Sequence, residues 1–214
     1  MFFQGHMVWG YLTARATSSL SRTRLVMPLV LLVSILPDAD IFLEPFGIKH
    51  LTVTHAISTW LVLFAPVFGY FGFRKTLPYF FAVLQHFLLG DAVMGPIPFL
   101  WPATSVSYGL SFEMKSAMDL LLEGLGFALF LGVGYRTGDL AAMFNGDPVN
   151  AWSVLPTGAV LVSFVPLRYY SGFMPLSFIA LNAAFVALLS GSFLWCLFRH
   201  LARSPKSDGS LGLG

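Results

Sequence analysis

Charge is the first thing this chain lacks. Only 10% of its 214 residues are Asp, Glu, Lys or Arg, against about 25% in a soluble domain. So few charges cannot cover a water-facing globule, and lipid must be the solvent for most of the chain. Cysteine is nearly missing too. Cys196 stands alone, which excludes an intrachain disulfide and a thiolate metal cluster. It lies in an apolar run and reads as a small hydrophobe. No G-x-S-x-G, P-loop or G-x-G-x-x-G occurs, so nucleophile-elbow and nucleotide chemistry find no motif. The first twenty residues lack a basic stretch ahead of an apolar core, and no cleavable signal peptide is expected. A net charge of +2 is too small to suggest a nucleic-acid partner.

What is abundant is apolar: 57% of residues are hydrophobic and the mean hydropathy is +0.77. Residues 1–14 read as a short apolar helix, 15–24 as a polar, basic connection and 25–37 as an apolar run ending at Pro37. Neither apolar piece has the roughly 20 residues a span requires. The two are expected to pair as a hairpin dipping into the membrane, packed against other helices. Spans are expected over 51–73, 76–93, 117–135, 151–168 and 173–198. The fold class is therefore all-α: a polytopic membrane helical bundle with a short N-terminal helical hairpin plus about five membrane-spanning helices. Residues 1–198 form one domain, and 199–214 a polar, flexible tail.

Lysine and arginine bias sets the orientation. With the 15–24 connection in the cytoplasm, Arg15, Arg22, Arg24, Arg74, Lys75, Arg136, Arg199, Arg203 and Lys206 fall inside, and only Lys49, Lys115 and Arg168 outside. That favours an inner-membrane protein oriented in this sense.

Ionisable residues within membrane helices are costly and mark function. In this topology nine of them, from five segments, gather in one outer layer: His6; Asp38 and Asp40; His50 and His55; His86 and Asp91; Asp119 and Glu123. Each alone has a plain reading. Asp38 and Asp40 suit a turn around Pro37, His55 and His86 could bridge helices, and Asp119 with Glu123 could open a helix. Together, unpaired acids and imidazoles in an apolar layer each carry a desolvation cost, which a divalent cation would relieve at once. Imidazole and carboxylate without thiolate suit zinc, manganese or iron. Phe3-Gln4-Gly5-His6-Met7 looks like a protease-site scar followed by a cloning-site His-Met. Met1-Phe2 does not complete such a site, however, and the amphipathic run passes straight through it, so His6 is read as native. His200 reads as a surface residue of the basic tail.

The order of these residues is also familiar: His6 to Gly10, Leu36-Pro37-Asp38-Ala39-Asp40, His50 to His55 with Thr54, His86 to Asp91, then Gly95 to Trp101-Pro102. This resembles the membrane-bound metal-dependent hydrolase family, which includes the LexA-regulated inner-membrane hydrolases, over about residues 5–102. The family usually has His-Arg-Gly-x-Thr-His-Ser, where this chain has His50-Leu51-Thr52-Val53-Thr54-His55-Ala56. It usually has His-x-x-x-Asp, where His86 and Asp91 are five apart. On a regular helix that spacing does not share a face, so either Gly90 lets the helix unwind or bulge, or Asp91 is not a ligand. More loosely, the pattern is similar to the zinc sites of helical phospholipase C and P1-nuclease enzymes.

The resemblance implies metal-dependent hydrolysis. His6, Asp38, Asp40, His50, His55, His86 and Asp91 are the expected ligands of one to three divalent ions, most simply zinc. Asp119 or Glu123 is the expected catalytic base. A site at the lipid–water boundary suits a lipid-like phosphoester substrate. Two other classes stay open: an ion- or proton-coupled transporter or channel, and a structural membrane protein whose polar cluster bridges helices.

Overall fold

The computed structural model describes residues 1–47, 49–113, 115–164 and 175–202. Helices account for nearly all of its regular structure, and the only β pairing among the described residues is an isolated antiparallel bridge between Ile97 and Tyr108. Helix α1 runs Phe3–Ser21 and ends where Arg22 turns left-handed (φ 54°). The basic connection expected over 15–24 is thus mostly helix, extended by Ser and Thr hydroxyls bonded to carbonyls one turn back, as at Thr17 and Ser21. Helix α2 is short, Met27–Val33, with Pro28 in its first turn, where a missing N–H costs nothing. A 3-10 segment follows over Leu36–Phe46 and another over Val53–His55.

Helix α3 spans Ile57–Phe71, and Gly72 (φ +86°) breaks it from α4, Phe73–Gln85. One π turn, His86–Asp91, and helix α5, Ala92–Met94, prolong α4. Helix α6, Ala117–Thr137, is capped by Ser116, whose hydroxyl accepts from the Asp119 amide, and it carries Asp119 at its positive end and Arg136 at its negative end. After α7, Asp139–Met143, and a 3-10 turn, Pro148–Ser153, come α8, Val154–Phe164, and α9, Leu176–Ala202.

Among the described residues three helices are long and apolar enough to cross a membrane: Phe73–Met94, Ala117–Thr137 and Leu176–Ala202. The expected span at 51–73 is shortened, because residues 51–56 are spent on the turn that carries His55. Its 15 helical residues reach only about 22 Å at 1.5 Å per residue, short of a bilayer core of about 30 Å. The apolar helical stretch Pro148–Val162 is also short. Arg168, Arg203, Lys206 and the start of the last expected span lie outside the described residues. Helix α9 continues to Ala202, past the expected start of the tail.

Helix α1 is the hub. It packs on α2 as a hairpin would, but also along α4 and against α6 and α8. Small residues let the backbones close. A Cβ on Gly10 would overlap the Ser34 side chain, and one on Gly126 would meet the Trp9 indole. The buried core joins Met7, Val8 and Tyr11 of α1 to Val30 and Leu31 of α2 and to Ala82, Val83 and Phe87 of the α4 rod.

Candidate metal centre

Four segments bring their ionisable side chains to one place. Asp38 and Asp40 come from the first 3-10 segment, which turns once per three residues. At that pitch residues two apart flank a point rather than share a face. Both are buried while Ala39 between them is exposed. They take hold of one imidazole from its two nitrogens. His55 Nε2 lies 3.7 Å from Asp38 Oδ1, and His55 Nδ1 lies 3.4 Å from Asp40 Oδ2.

The π turn settles the spacing of His86 and Asp91. Its backbone bonds run from i to i+5, so residues five apart come to one face. His86 Nε2 is 3.1 Å from Asp91 Oδ2, and His55 Nε2 is also 3.1 Å from that oxygen. Gly90 acts differently from expectation. A Cβ there would overlap the His6 ring, so the glycine makes room for His6, which stacks on His86 with centroids 3.8 Å apart. His6 Nε2 reaches the other oxygen of Asp91, Oδ1, at 3.3 Å. His6 therefore belongs to the folded core, and Asp91 is shared between it and the His55–His86 pair. Gln85 fixes α1 beside this turn by donating to the His6 carbonyl at 2.8 Å.

Hydrogen bonds fix the imidazole tautomers. His86 Nδ1 lies 2.7 Å from the Ser34 carbonyl, which can only accept, so Nδ1 carries the proton. His55 Nδ1 contacts Thr54 Oγ1 at 3.0 Å, and Thr54 in turn donates to Asp40 Oδ2. Both rings, held at Nδ1, turn Nε2 toward Asp38 and Asp91. One ligand atom each from Asp38, His55, His86 and Asp91 lies within 4.8 Å of the others. His55 Nε2, His86 Nε2 and Asp91 Oδ2 are buried without a hydrogen-bond partner. Four acceptors thus converge on a point with no donor among them, which fits a divalent cation in both donor type and number. A second trio, Asp40, His50 and His55, is equally close. There His50 Nδ1 bonds Asp40 Oδ1 at 2.7 Å, so both Asp40 oxygens are engaged by neighbouring side chains.

The electrostatics agree. Burial works to raise the Asp40 carboxyl, but hydrogen bonds from His50, His55 and Thr54 outweigh it and hold the pKa at about 2. Asp38 is likewise held well below the carboxylate range, because its burial is outweighed by the charge of His86 and by the His55 and His86 imidazoles that face it. Burial would lower His55, but Asp38, Asp40 and Asp91 push it up to about 11. These acids therefore demand a positive charge, from a proton on imidazole or from a cation in its place.

Asp119 and Glu123 do not join this cluster. Asp119 Oδ2 accepts from the Lys115 amide at 2.9 Å, and Glu123 Oε1 from the Phe2 amide at 2.6 Å. No ion pair links either to a cluster histidine among the described residues. Glu123 sits where α1 begins, one turn before His6.

The cluster floors a cleft of about 480 Å³, with Asp38, His50 and Asp91 at its base and Ile41, Leu51, Met94 and Phe112 among its walls. Glu113 also lines it. Sequence reasoning missed this residue, since it lies in a loop far from any motif. Backbone bonds from Leu110 to Ala92 (2.6 Å) and from Phe112 to Val93 (3.3 Å) carry that loop back over α5. The Ser34 carbonyl left no signal either, because any residue supplies one. No known family model, curated protein or solved structure matches the chain.

Proposed function

We propose that the protein is a membrane-embedded metal-dependent hydrolase that acts on a phosphoester or lipid-like substrate at the membrane surface. The observation that carries this reading is the meeting of Asp38, Asp91, His55 Nε2 and His86 Nε2 without a donor among them. A mixed set of two imidazoles and two carboxylates suits zinc in a tetrahedral or slightly expanded shell. His6, facing the second oxygen of Asp91, and the Asp40–His50–His55 trio leave room for a second or third ion. A bound divalent ion would supply a water ionised near neutral pH and an electrophile for the scissile bond.

The chain's own groups do the rest. Asp40 and Thr54 hold His55 from behind, and the Ser34 carbonyl holds His86, as outer partners hold ligating imidazoles in metal sites generally. The apolar walls of the cleft would take an acyl or prenyl portion of the substrate and exclude bulk water. Glu113 is the acid best placed to act as base from the open side. Glu123 is assigned to positioning: it anchors the start of α1 and through it His6.

The finer topology belongs to the same proposal. The α4–α5 rod, α6 and α9 would be full spans, and the shorter α3 and α8 would complete the expected five by thinning the bilayer locally beside the α1–α2 hairpin. The lysine and arginine bias supports an inner-membrane orientation with the cleft on the non-cytoplasmic side. The tightness of the cluster supports a hydrolytic centre over an ion relay, which would spread its groups through the membrane depth.

The test is chelation and restoration. Purified protein stripped of metal should fail to hydrolyse a phospholipid in mixed micelles and should recover on adding zinc. Zinc-dependent ion flux in liposomes without hydrolysis would replace this reading with the transporter one.

A further inference from the structure

A second cavity lies away from the metal cluster. It measures about 690 Å³ and opens between α2, α3 and α4. Its composition is segregated. Arg22, Arg24 and Lys75 line it together with apolar walls that include Leu29, Val33 and Phe71, and among the described residues no acid lines it. The three cations come from one end of the fold: the turn before α2 and the α3–α4 turn, which are tied where the Val26 amide donates to Tyr79 Oη at 3.0 Å. None of the three makes an ion pair among the described residues. Leu29 and Phe71 are substantially exposed, at 43% and 59%, so the cavity opens sideways to where lipid chains would lie. Phe64, deeper in the wall, is seven residues before Phe71 on α3, about 10 Å along the axis.

Helix-end electrostatics account for one cation after α1, but not for three converging on an apolar groove. Arg22 also occupies a left-handed position (φ 54°) where glycine is the ordinary choice. A long cation kept there at a conformational cost points to a use for its side chain.

We propose that this groove is a binding site for one anionic phospholipid of the surrounding leaflet. The phosphate is held by Arg22, Arg24 and Lys75, and the upper part of an acyl chain lies against Leu29, Val33 and Phe71. Basic pockets between membrane helices recognise anionic headgroups in this way. The site is independent of the metal cluster and of the hydrolase reading. It commits to a lipid rather than free phosphate because the apolar walls make up most of the groove.

The test uses the full chain in nanodiscs of phosphatidylcholine doped with phosphatidylglycerol, transferred to neutral detergent, with retained lipid counted by native mass spectrometry. Wild-type protein should retain one phosphatidylglycerol. Each cation removed should cost about fivefold, and Arg22→Gln, Arg24→Gln and Lys75→Gln together roughly 100-fold, with phosphatidylcholine unchanged. Leu29→Trp, which fills the groove without changing charge, should also lose the lipid. If the triple variant does not fold, Lys75→Gln alone still decides through its about fivefold loss. Wild-type retention by the charge variants would overturn the proposal. So would loss in the charge variants with full retention in Leu29→Trp, because that pattern describes a phosphate contact without a lipid.

Discussion

The two halves of the molecule use their helices differently. The Phe73–Met94 rod is 56% buried along its most apolar window, whereas the corresponding windows of α6 and α9 are each 28% buried. The rod sits among protein, pressed on α1, and carries His86 and Asp91 into a polar cluster. Helices α6 and α9 turn Leu121, Leu125, Leu194 and Leu197 outward, as lipid-facing spans do. One half is organised by satisfying polar groups and the other by covering apolar ones, so the two should respond oppositely to the same kind of change.

The sharpest contrast comes from removing a ligand. Asp38→Ala should abolish bound metal and hydrolysis together, a loss larger than the 10–100-fold expected for an outer partner. Metal analysis and turnover of the same preparation read it. The outer partner itself is the next step down. Asp40→Asn leaves the four converging atoms in place but slackens His50 and His55, so metal affinity should fall about 10–100-fold while saturating metal restores activity. Equal loss in both variants would make Asp40 a ligand.

Glycine offers a matched pair. Gly90→Ala drives a methyl into His6 and should destabilise by about 1–3 kcal/mol, the usual cost of overpacking. Gly132→Ala, on α6 with open space at its Cβ position, should be neutral or stabilising by up to about 1 kcal/mol. Chemical unfolding of the two variants in one detergent compares them directly. A similar cost at both sites would erase the distinction between the halves.

Acidity tests the metal's place. In metal-free protein His55 is raised to about 11, so its stabilisation is full below its unfolded value near 6.5 and is lost as pH rises toward 11. Asp40, lowered to about 2, stabilises above about pH 4, and that contribution is lost as pH falls toward 2. Stripped protein should therefore be most stable between about pH 4 and 6.5 and weaken on both sides. Metal-loaded protein has already given up the His55 proton, so its alkaline weakening should disappear. The smallest effect is expected at Glu123→Gln. It should keep its metal and lose less than about tenfold in rate, below the range for a general base.

Much of the centre was legible in the sequence because ligand chemistry restricts residue type. His6, Asp38, His50, His55, His86 and Asp91 stand out from an apolar background, and the structure brings them together. What the sequence concealed is geometry that residue type does not encode. The five-residue spacing of His86 and Asp91 looks wrong until the helix widens by a π turn, and no pattern announces one. Gly90 hinted at a local break, but its place is explained by the ring of a residue more than eighty positions away. The span expected from Leu51 gave up its first turn to position His55, a tertiary demand that hydropathy cannot register. Asp119 and Glu123 looked like members of the layer because depth in a membrane can be read from sequence, whereas direction around the bundle cannot.

The central claim is that the converging nitrogens and oxygens of Asp38, His55, His86 and Asp91 hold a divalent cation. The direct measurement is the metal content of protein purified without added metal, wild type beside the Asp38→Ala/His55→Ala double variant, by elemental mass spectrometry. The account predicts at least one divalent ion per wild-type chain and near none in the double variant, with the wild type alone destabilised by chelation. Metal-free wild type that cannot be loaded, or equal metal in both proteins, would contradict it.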